Sequence, residues 1–180
     1  SHAKKKNLQE IMEAFSDEKV IIFSETKSNC NDIEDTLNSY GYKTQAIHGD
    51  KDQSARNRAV AGFNNGSFNV LVATSVAARG MDFENIGLVI NYDCPVTIDD
   101  YVHKIGRTGR KGKLGKAITF VDQKADASVL RGIVDILKSS EQIVPDEIFT
   151  YIGYENKHVQ NRGGNKGGNR GDNFRGGNRY

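Results

Sequence analysis

Short apolar runs recur along this chain and alternate with stretches of helical periodicity. The first run, residues 20–23, is rich in β-branched residues and has no polar position, which is typical of a strand covered on both faces. Further strands are predicted at residues 44–47, 70–73, 88–91 and 117–121. Because helical patterns separate these strands, the sequence predicts an α/β fold in which a parallel sheet has helices on both faces, a three-layer αβα arrangement.

Helical periodicity fills the stretches between these runs. Leu8, Ile11, Met12 and Phe15 follow one another at i, i+3, i+4 and i+7, the spacing of an amphipathic helix. Cys30, Ile33, Leu37 and Tyr40 mark a second helix, which Gly41 is placed to end because glycine readily adopts the left-handed conformation that terminates helices. Further helices are predicted at residues 53–64, near residue 76, at 101–105, at 125–138 and at 144–151.

The composition changes near residue 156. Residues 156–180 contain seven glycines, six asparagines and only one aliphatic residue, which is too little apolar surface to form a core. This segment carries a charge of +5, which leaves −3 for residues 1–155 because the whole chain carries +2. The predicted organisation is a linker or cloning remnant at 1–7, one domain at 8–152, and a disordered tail rich in Arg, Gly and Asn at 153–180.

The composition also limits the class of protein. A run of about 18 apolar residues and a signal-peptide pattern are both missing, which predicts a soluble intracellular protein, nuclear or cytoplasmic, without a membrane partner. Cys30 and Cys94 lie far apart and lack metal-ligand spacing. Both are interpreted as small buried or half-buried apolar residues, and no metal site is predicted.

Polar segments follow four of the predicted strands immediately. Parallel sheets bind ligands at the carboxyl ends of their strands, so these segments are candidates for a functional site. They are Ser24–Lys27, His48–Arg56, Thr74–Asp82 and Asp93–Pro95.

A fifth candidate, residues 101–110, lies on and just after a predicted helix. Arg107 and Arg110 are three residues apart, and glycines beside them let the backbone approach a ligand closely. A guanidinium group is always charged and matches two phosphate oxygens at once. His103 adds a side chain that donates and accepts hydrogen bonds. By itself, this pattern fits a phosphate site and a solvated basic turn equally well.

Four segments together carry a resemblance to a known family. Residues 20–27, 48–56, 70–83 and 101–110 occur in an order that resembles the second RecA-like domain of superfamily 2 helicases. The sequence HKIGRTGR in the last segment resembles the final motif of the DEAD-box RNA helicases, whereas DEAH-type relatives usually begin this motif with glutamine. The resemblance covers residues 8–151 and is greatest to the p68-like branch, with Vasa-like and Ded1-like branches left open.

The resemblance implies a group of residues that faces ATP. Arg107 and Arg110 would reach the γ-phosphate, one of them as an arginine finger that stabilises the charge developing during hydrolysis. His103 would hydrogen-bond across a domain interface rather than act as an acid or base. Asp82 would bind the ribose, and Gly80 would permit close approach of the backbone to the nucleotide.

A second group is implied to bind the RNA backbone. Gln53 and Arg56 lie three residues apart at the start of a helix and therefore share one face. Helix capping is the alternative role for this pair, and shaping a turn is the alternative for Gly49. Contacts to phosphate and ribose bind single-stranded or duplex RNA without sequence preference. The six residues assigned to RNA are Thr26, Gly49, Gln53, Arg56, Thr74 and Arg79.

Two positions depart from the family pattern. Lys104 stands where the family usually has arginine, so the chain keeps the charge there but loses the bidentate fork. The role of that arginine is therefore in doubt. Ser75 stands where many members have aspartate.

The tail repeats Arg-Gly-Gly and contains two aromatic residues. Flexible segments of this composition bind single-stranded nucleic acid through charge and stacking, which makes Arg162, Arg170 and Arg175 candidate RNA contacts. An inert extension and self-association into condensates are the alternatives.

The motifs that seat ATP are missing from the sequence. It contains neither G-x-x-x-x-G-K-[ST] nor D-E-A-D. The resemblance therefore implies the C-terminal half of a monomeric helicase, in which ATP with Mg²⁺ is bound mainly by an N-terminal RecA-like domain of the same protein. We expect the chain alone neither to hydrolyse ATP nor to unwind RNA.

Two other classes of function stay open. A non-catalytic RNA-binding or protein-docking module can use the same fold, although such a module does not need ATP-facing residues such as Asp82, Arg107 and Arg110. A DNA helicase of the same superfamily is the other alternative, which the leading histidine of the last motif and the Arg/Gly tail disfavour.

Overall fold

The computed structural model describes residues 2–109 and 114–153. Six helices and five strands occur in this part, followed by a helical segment at residues 147–153. The helices are α1 His2–Ala14, α2 Lys27–Ser39, α3 Gln53–Asn64, α4 Ser75–Ala78, α5 Ile98–Ile105 and α6 Ala127–Ser139. The strands are β1 Val20–Phe23, β2 Thr44–Ile47, β3 Val70–Ala73, β4 Leu88–Asn91 and β5 Lys116–Thr119. Arg110 and the predicted tail with Arg162, Arg170 and Arg175 lie outside the described residues.

The five strands form one parallel sheet in the order β2-β3-β1-β4-β5. Val20 at the start of β1 pairs with Val70 and with Leu88, so these strands begin at the same edge. The predicted α/β fold is confirmed.

Two apolar cores lie on opposite faces of the sheet, because successive strand residues point to opposite sides. On one face, Val20 and Ile22 pack with residues of α1 and α2. On the other face, Ile21 and Phe23 pack with residues of α3 and α4. Burial on both sides explains why the sequences of β1 and β3 are continuously apolar.

A third apolar cluster joins α5 to α6 and the final helical segment. Tyr101 of α5 packs there with Leu130 of α6 and with Ile148. Thr97 caps α5 by accepting a hydrogen bond from the backbone N–H of Asp100 at 3.1 Å. Acidic residues in the first turn and basic residues in the last turn complement the dipole of this helix. The cluster fixes the helix that carries His103.

Several observed boundaries differ from the sequence-based ones. The helices predicted at 101–105, 125–138 and 144–151 are observed at Ile98–Ile105, Ala127–Ser139 and 147–153. The strand predicted at 117–121 is observed as Lys116–Thr119, and its first half is exposed. The linker expected at residues 1–7 is instead part of α1, which begins at His2. The physical reason is Lys4, whose ammonium donates to the backbone oxygen of Tyr92 at 3.1 Å and pairs with Asp122 at 3.0 Å.

Both cysteines are reduced thiols in the expected surroundings, Cys30 buried and Cys94 half-buried. Burial raises the pKa of Cys30 to about 12 and that of Cys94 to about 11. Among residues 2–109 and 114–153, the helices lack the length and apolar composition needed to cross a lipid bilayer.

Replacement of Phe63 by alanine should destabilise the domain strongly. The ring is 0% exposed and lies between the rings of Phe68 and Phe83, with centroids at 6.0 and 6.3 Å. Loss of a buried phenylalanine costs about 4 kcal/mol in unfolding free energy, which urea denaturation will measure. The matched control is Phe149→Ala, since Phe149 is 47% exposed and its loss should cost well under that amount. Equal effects of the two changes would contradict the assignment of the core.

Candidate functional site

The segments predicted to form the site do follow the strands in the folded chain. Segments 24–27, 48–56, 74–82 and 93–95 come directly after β1, β2, β3 and β4. Because the strands are parallel and in register, these segments begin at one edge of the sheet, its carboxyl edge.

Thr26 and Thr74 are the N-caps of two helices at this edge. The Oγ1 atom of Thr26 accepts from the backbone N–H of Asn29 at 3.1 Å, and that of Thr74 accepts from Ala77 at 3.4 Å. A hydroxyl that accepts in this way keeps its own proton for another acceptor. Thr26 is exposed, whereas Thr74 is only 8% exposed. Thr26 is therefore the more accessible of the two phosphate donors.

Gln53 and Arg56 line a groove together with the segment that follows α4. The groove has a volume of about 430 Å³, and Arg79, Gly80 and Asp82 form its other wall. Buried Nε of Arg56 has no hydrogen-bond partner among the described residues. Gln53 is exposed and donates to Asn57 on the next turn at 2.8 Å. The groove thus combines two guanidinium groups, one of them with an unused donor.

His48 and Gly49 shape the turn between β2 and α3. His48 is 5% exposed, and its Nε2 lies 2.9 Å from Oδ1 of Asn31. Burial, with the nearby charge of Lys51, lowers the pKa of His48, so the imidazole is neutral near pH 7. Gly49 is exposed beside Lys27, which pairs with Asp50. His48 therefore has a structural role, and Gly49 offers accessible backbone.

Arg107 and Asp82 meet in a second cleft. Its volume is about 450 Å³, and Gly109, Glu18 and Lys116 also line it. The Nη1 atom of Arg107 donates to the backbone oxygen of Met81 at 3.1 Å, and its guanidinium lies 6.0 Å from the centre of the Phe83 ring. These contacts hold Arg107 against the segment that carries Asp82, although the two residues are 25 positions apart in the sequence.

This second cleft lies toward the opposite edge of the sheet from the one expected for Asp82. Glu18 precedes β1, and Lys116 begins β5, so the cleft reaches the amino edge. The physical reason is the course of the chain, because α5 starts after the carboxyl end of β4 and leads back to the start of β5. The cleft with Arg107 thus extends away from the carboxyl edge, and the assignment of ATP and RNA to the two groups of residues stays a prediction.

His103 lies between the two groups. It is exposed on α5 and lines a small cleft of about 40 Å³ with Arg79 and Arg107. Segment 79–82 takes part in all three clefts. Thr26, Gly49 and Thr74 share the carboxyl edge with the groove but line none of these three clefts. The structure therefore brings part of the predicted set together, with Gln53, Arg56 and Arg79 in the groove, Asp82 and Arg107 in the second cleft, and His103 in the small cleft between them.

Lys104 is a buried charge whose partners the sequence did not reveal. It is 3% exposed, and its ammonium contacts Glu25 Oε1 at 3.0 Å and Asp100 Oδ2 at 2.7 Å. The ammonium also lies 5.6 Å from the centre of the Phe23 ring. The pair with Asp100 could have been found in the sequence, because Asp100 lies four residues before Lys104 on α5. The pair with Glu25 could not, because Glu25 is 79 residues away.

Asp93 connects the start of α1 with the turn after β1. One carboxylate oxygen accepts from the Ser24 hydroxyl at 2.6 Å and from the Glu25 backbone N–H at 3.0 Å, and the other lies 3.4 Å from the Lys4 ammonium. Burial alone would raise the pKa of Asp93, but these donors and the charge of Lys4 outweigh it, and the pKa is lowered. The segment that contains Asp93 was a sequence candidate, but its partners were not predicted.

The donor groups fit part of a nucleotide site. A guanidinium from Arg107 suits a phosphate, and the carboxylate of Asp82 suits a sugar hydroxyl. A cradle of backbone N–H groups of the P-loop kind is missing from the sequence. The described residues contain no group of three or more His, Cys, Asp or Glu side chains that could hold a metal ion. The cleft can thus complete a nucleotide site but not form one alone.

Comparisons with known proteins agree with this geometry. Residues 3–112 match the family model described as helicase conserved C-terminal domain. The ATP-dependent RNA helicase vasa of Drosophila melanogaster is 47% identical over 149 residues, which are 83% of this chain and 22% of that protein. The chain spans about a fifth of the length of the curated relatives it matches.

Solved structures give the same result. The yeast DEAD-box splicing factor Prp28 superposes with a TM-score of 0.78 at 30% identity, over 83% of this chain and 34% of that chain. The C-terminal domain of the DEAD-box protein Dbp5 superposes with a TM-score of 0.67 at 32% identity, over 88% of this chain and 92% of that chain. The chain thus corresponds in extent to a single domain.

Replacement of Asp93 by asparagine should lower the unfolding free energy at neutral pH. The unfolding free energy of the variant should then fall less steeply in acid than that of the wild type. Hydrogen bonds to a charged group are worth about 2 kcal/mol, most of which the neutral amide loses. The folded-state pKa of Asp93 lies below 3.8, so its contribution is present above pH 3.8 and disappears as the pH falls through the lower value. Urea denaturation between pH 7 and pH 2.5 should show the two proteins converging in acid.

The control for this change is Asp35→Asn, since Asp35 is an exposed carboxylate on the same domain. It should track the wild type across the pH range. A constant gap between wild type and Asp93→Asn at every pH would rule out the inferred charge on Asp93.

Proposed function

Because the chain belongs to the helicase conserved C-terminal domain family, as found in DEAD-box RNA helicases, we propose that it works as the second RecA-like domain of an ATP-dependent RNA helicase. One observation carries the proposal: segment 79–82 lines both the groove with Gln53 and Arg56 and the cleft with Arg107. One continuous surface therefore offers donors for RNA phosphates and for a nucleotide. A module that only binds RNA does not need the donors for a nucleotide.

On the nucleotide side, Arg107 and Arg110 are proposed to stabilise the phosphate charge that develops during hydrolysis. The Met81 carbonyl and the Phe83 ring orient Arg107 before any ligand arrives. Gly109, the last described residue of this segment, has a φ of +70°, a left-handed conformation that glycine adopts without strain. Asp82 and Gly80 are proposed to meet the sugar and phosphates. ATP with Mg²⁺ is bound mainly by the N-terminal RecA-like domain, because this sequence lacks a P-loop.

On the RNA side, the carboxyl edge is proposed to bind the sugar–phosphate backbone. Arg56 and Arg79 supply charge from the two walls of the groove, and the Thr26 hydroxyl supplies a donor at the start of α2. Gln53, Gly49 and Thr74 complete this surface. These groups recognise features common to all RNA sequences, so binding is independent of sequence.

The proposed cycle involves two domains of one polypeptide. Single-stranded or duplex RNA and ATP hold this domain against the N-terminal RecA-like domain, with His103 at the junction. Closure bends one RNA strand and separates short duplexes, and hydrolysis reopens the cleft. Arg162, Arg170 and Arg175 add a non-specific attraction for RNA. We further propose that the full protein acts as a monomer in the nucleus or cytoplasm.

Turnover in a two-domain protein tests the nucleotide side. The chain, joined to the first domain of a DEAD-box helicase, should hydrolyse ATP on addition of RNA, whereas the chain alone should not. Arg110→Ala should lower the stimulated rate by about 10²-fold or more, as for an arginine finger, and leave nucleotide-free RNA binding unchanged. Arg131→Ala, an exposed arginine on α6, is the control and should retain full activity. Unchanged turnover in Arg110→Ala would favour the non-catalytic binding module.

RNA affinity of the chain tests the groove. Arg56→Ala should weaken binding about equally for all RNA sequences and reduce the slope of log K against log salt by about 0.7 for a single strand, because one phosphate contact is lost. Arg58→Ala is the matched control, since Arg58 is exposed two residues away on the same helix. Equal losses in both variants would mean that the groove is not the binding site. DNA of the same sequence that binds equally or more tightly would overturn the RNA assignment.

A further inference from the structure

A chain of ion pairs and hydrogen bonds, with the buried Lys104 and the exposed Glu25 among its members, crosses the carboxyl edge of the sheet. We call it the edge network, and it consists of Asp122, Lys4, Asp93, Ser24, Glu25, Lys104 and Asp100. Its members come from α1, from the turns after β1, β4 and β5, and from α5. Sequence separations of 79 between Lys104 and Glu25 and of 89 between Lys4 and Asp93 make it a long-range feature.

Glu25 is the member through which the two halves of the network meet. Its backbone N–H donates to Asp93 at 3.0 Å, and its carboxylate accepts from Lys104 at 3.0 Å. The turn after β1 is therefore held from both sides, by the β4 turn and by α5. Thr26, the proposed RNA donor, is the next residue along the chain.

Lys104 is the member that connects the network to the nucleotide group. It lies between His103 and Arg107 on and just after α5, and all three line the small cleft with Arg79. Since its ammonium is almost fully buried, it cannot contact a ligand directly. Its effect on ligands must pass through the residues whose positions it fixes.

The two departures from the family pattern occur in this same small cleft. Ser75 and Lys104 both line it, and the buried Oγ of Ser75 has no hydrogen-bond partner among residues 2–109 and 114–153. Serine offers no carboxylate at position 75, and the charge of Lys104 is balanced by Glu25 and Asp100. The pairing that results ties α5 to the turn after β1.

We propose that Lys104, through its ion pair with Glu25, is a positioning residue that couples RNA binding at the turn after β1 to Arg107 of the nucleotide site. This inference rests on the proposed function. The pair holds the Thr26 turn and α5 in one arrangement, so that RNA seated at that turn favours the productive position of Arg107. Without the pair, each site binds its own ligand, but one no longer influences the other.

Turnover of the two-domain protein, with and without RNA, tests this coupling. The variants are Lys104→Met, Glu25→Gln, the double change and Lys104→Arg. In Lys104→Met and Glu25→Gln, the ratio of RNA-stimulated to basal turnover should fall by about 5- to 150-fold, the usual range for coupling between two sites, while basal turnover stays unchanged. The double variant should lose no more than the single ones, because both remove the same link. Lys104→Arg should retain the ratio, since arginine can also span two carboxylates.

Lys6→Met is the charge-matched control, since Lys6 belongs to an exposed i,i+4 ion pair with Glu10 on α1. It should leave the ratio at the wild-type value. A general loss of stability would lower basal and stimulated turnover together. A ratio within twofold of wild type in Lys104→Met and Glu25→Gln would therefore overturn the proposal and leave Lys104 a structural ion pair only.

Hydrogen exchange in the chain alone gives a readout that is independent of activity. The backbone N–H of Asn29 is bonded to Thr26 Oγ1, and its exchange should accelerate in Glu25→Gln because the turn loosens. Unchanged exchange at Asn29 would contradict the mechanical link. Glu25 is partly exposed, so this variant keeps the experiment informative even where Lys104→Met folds poorly.

These experiments distinguish a failure of the proposed function from a failure of the coupling. If RNA does not stimulate wild-type turnover and Arg110→Ala changes nothing, the proposed function fails and the coupling proposal fails with it. If RNA stimulates the wild type and Arg110→Ala is inactive, but Lys104→Met keeps its stimulation ratio, only the coupling proposal fails.

Discussion

The burial of the Lys104 ammonium constrains the arrangement of the whole carboxyl edge. A buried charge without partners costs several kcal/mol, so the fold must bring carboxylates to it. Asp100 comes from the same helix, but Glu25 comes from the turn after the central strand β1. The position of α5 is thus fixed relative to the middle of the sheet. Asp93 then holds the backbone of Glu25, and Lys4 extends the contacts to the first helix.

The course of α5 explains why one small domain presents two kinds of site. The helix leaves the carboxyl edge after β4, and the chain returns to the amino edge to begin β5. Segment 79–87 likewise runs from the end of α4 back to the start of β4. Arg107 and Asp82 lie in one cleft where these two chain segments come together, beside the ring of Phe83. The residues proposed to contact RNA lie on segments that begin where the strands end. Adjacent but separate sites are what a domain needs if one ligand is to influence another.

Much of the fold and part of the site could be predicted from the sequence. All four of the first strands were located correctly, and β1 and β3 have wholly apolar sequences because they are covered on both faces. The fifth strand was predicted one residue late at its start because Lys116 is polar, and two residues late at its end because Phe120 and Val121 continue the apolar pattern. Motif resemblance assigned the candidate site residues, but it could not supply the partners of Lys104 or Lys4. Those partners are 79 and more residues distant, and local patterns carry no information about contacts at such separations.

The edge network contributes more to fixing the turn after β1 relative to α5 than to the free energy of folding. Apolar clusters on both faces of the sheet and around α6 bury the large side chains, and such burial is the main source of folding free energy. Buried ion pairs gain little over apolar groups of the same volume, because desolvation of the charges offsets their attraction. An apolar residue at position 104 could pack against Phe23, yet it would not define where the turn after β1 lies relative to α5. The observed contacts do define it, since Lys104 bonds to Glu25 and Asp100 while the backbone of Glu25 bonds to Asp93.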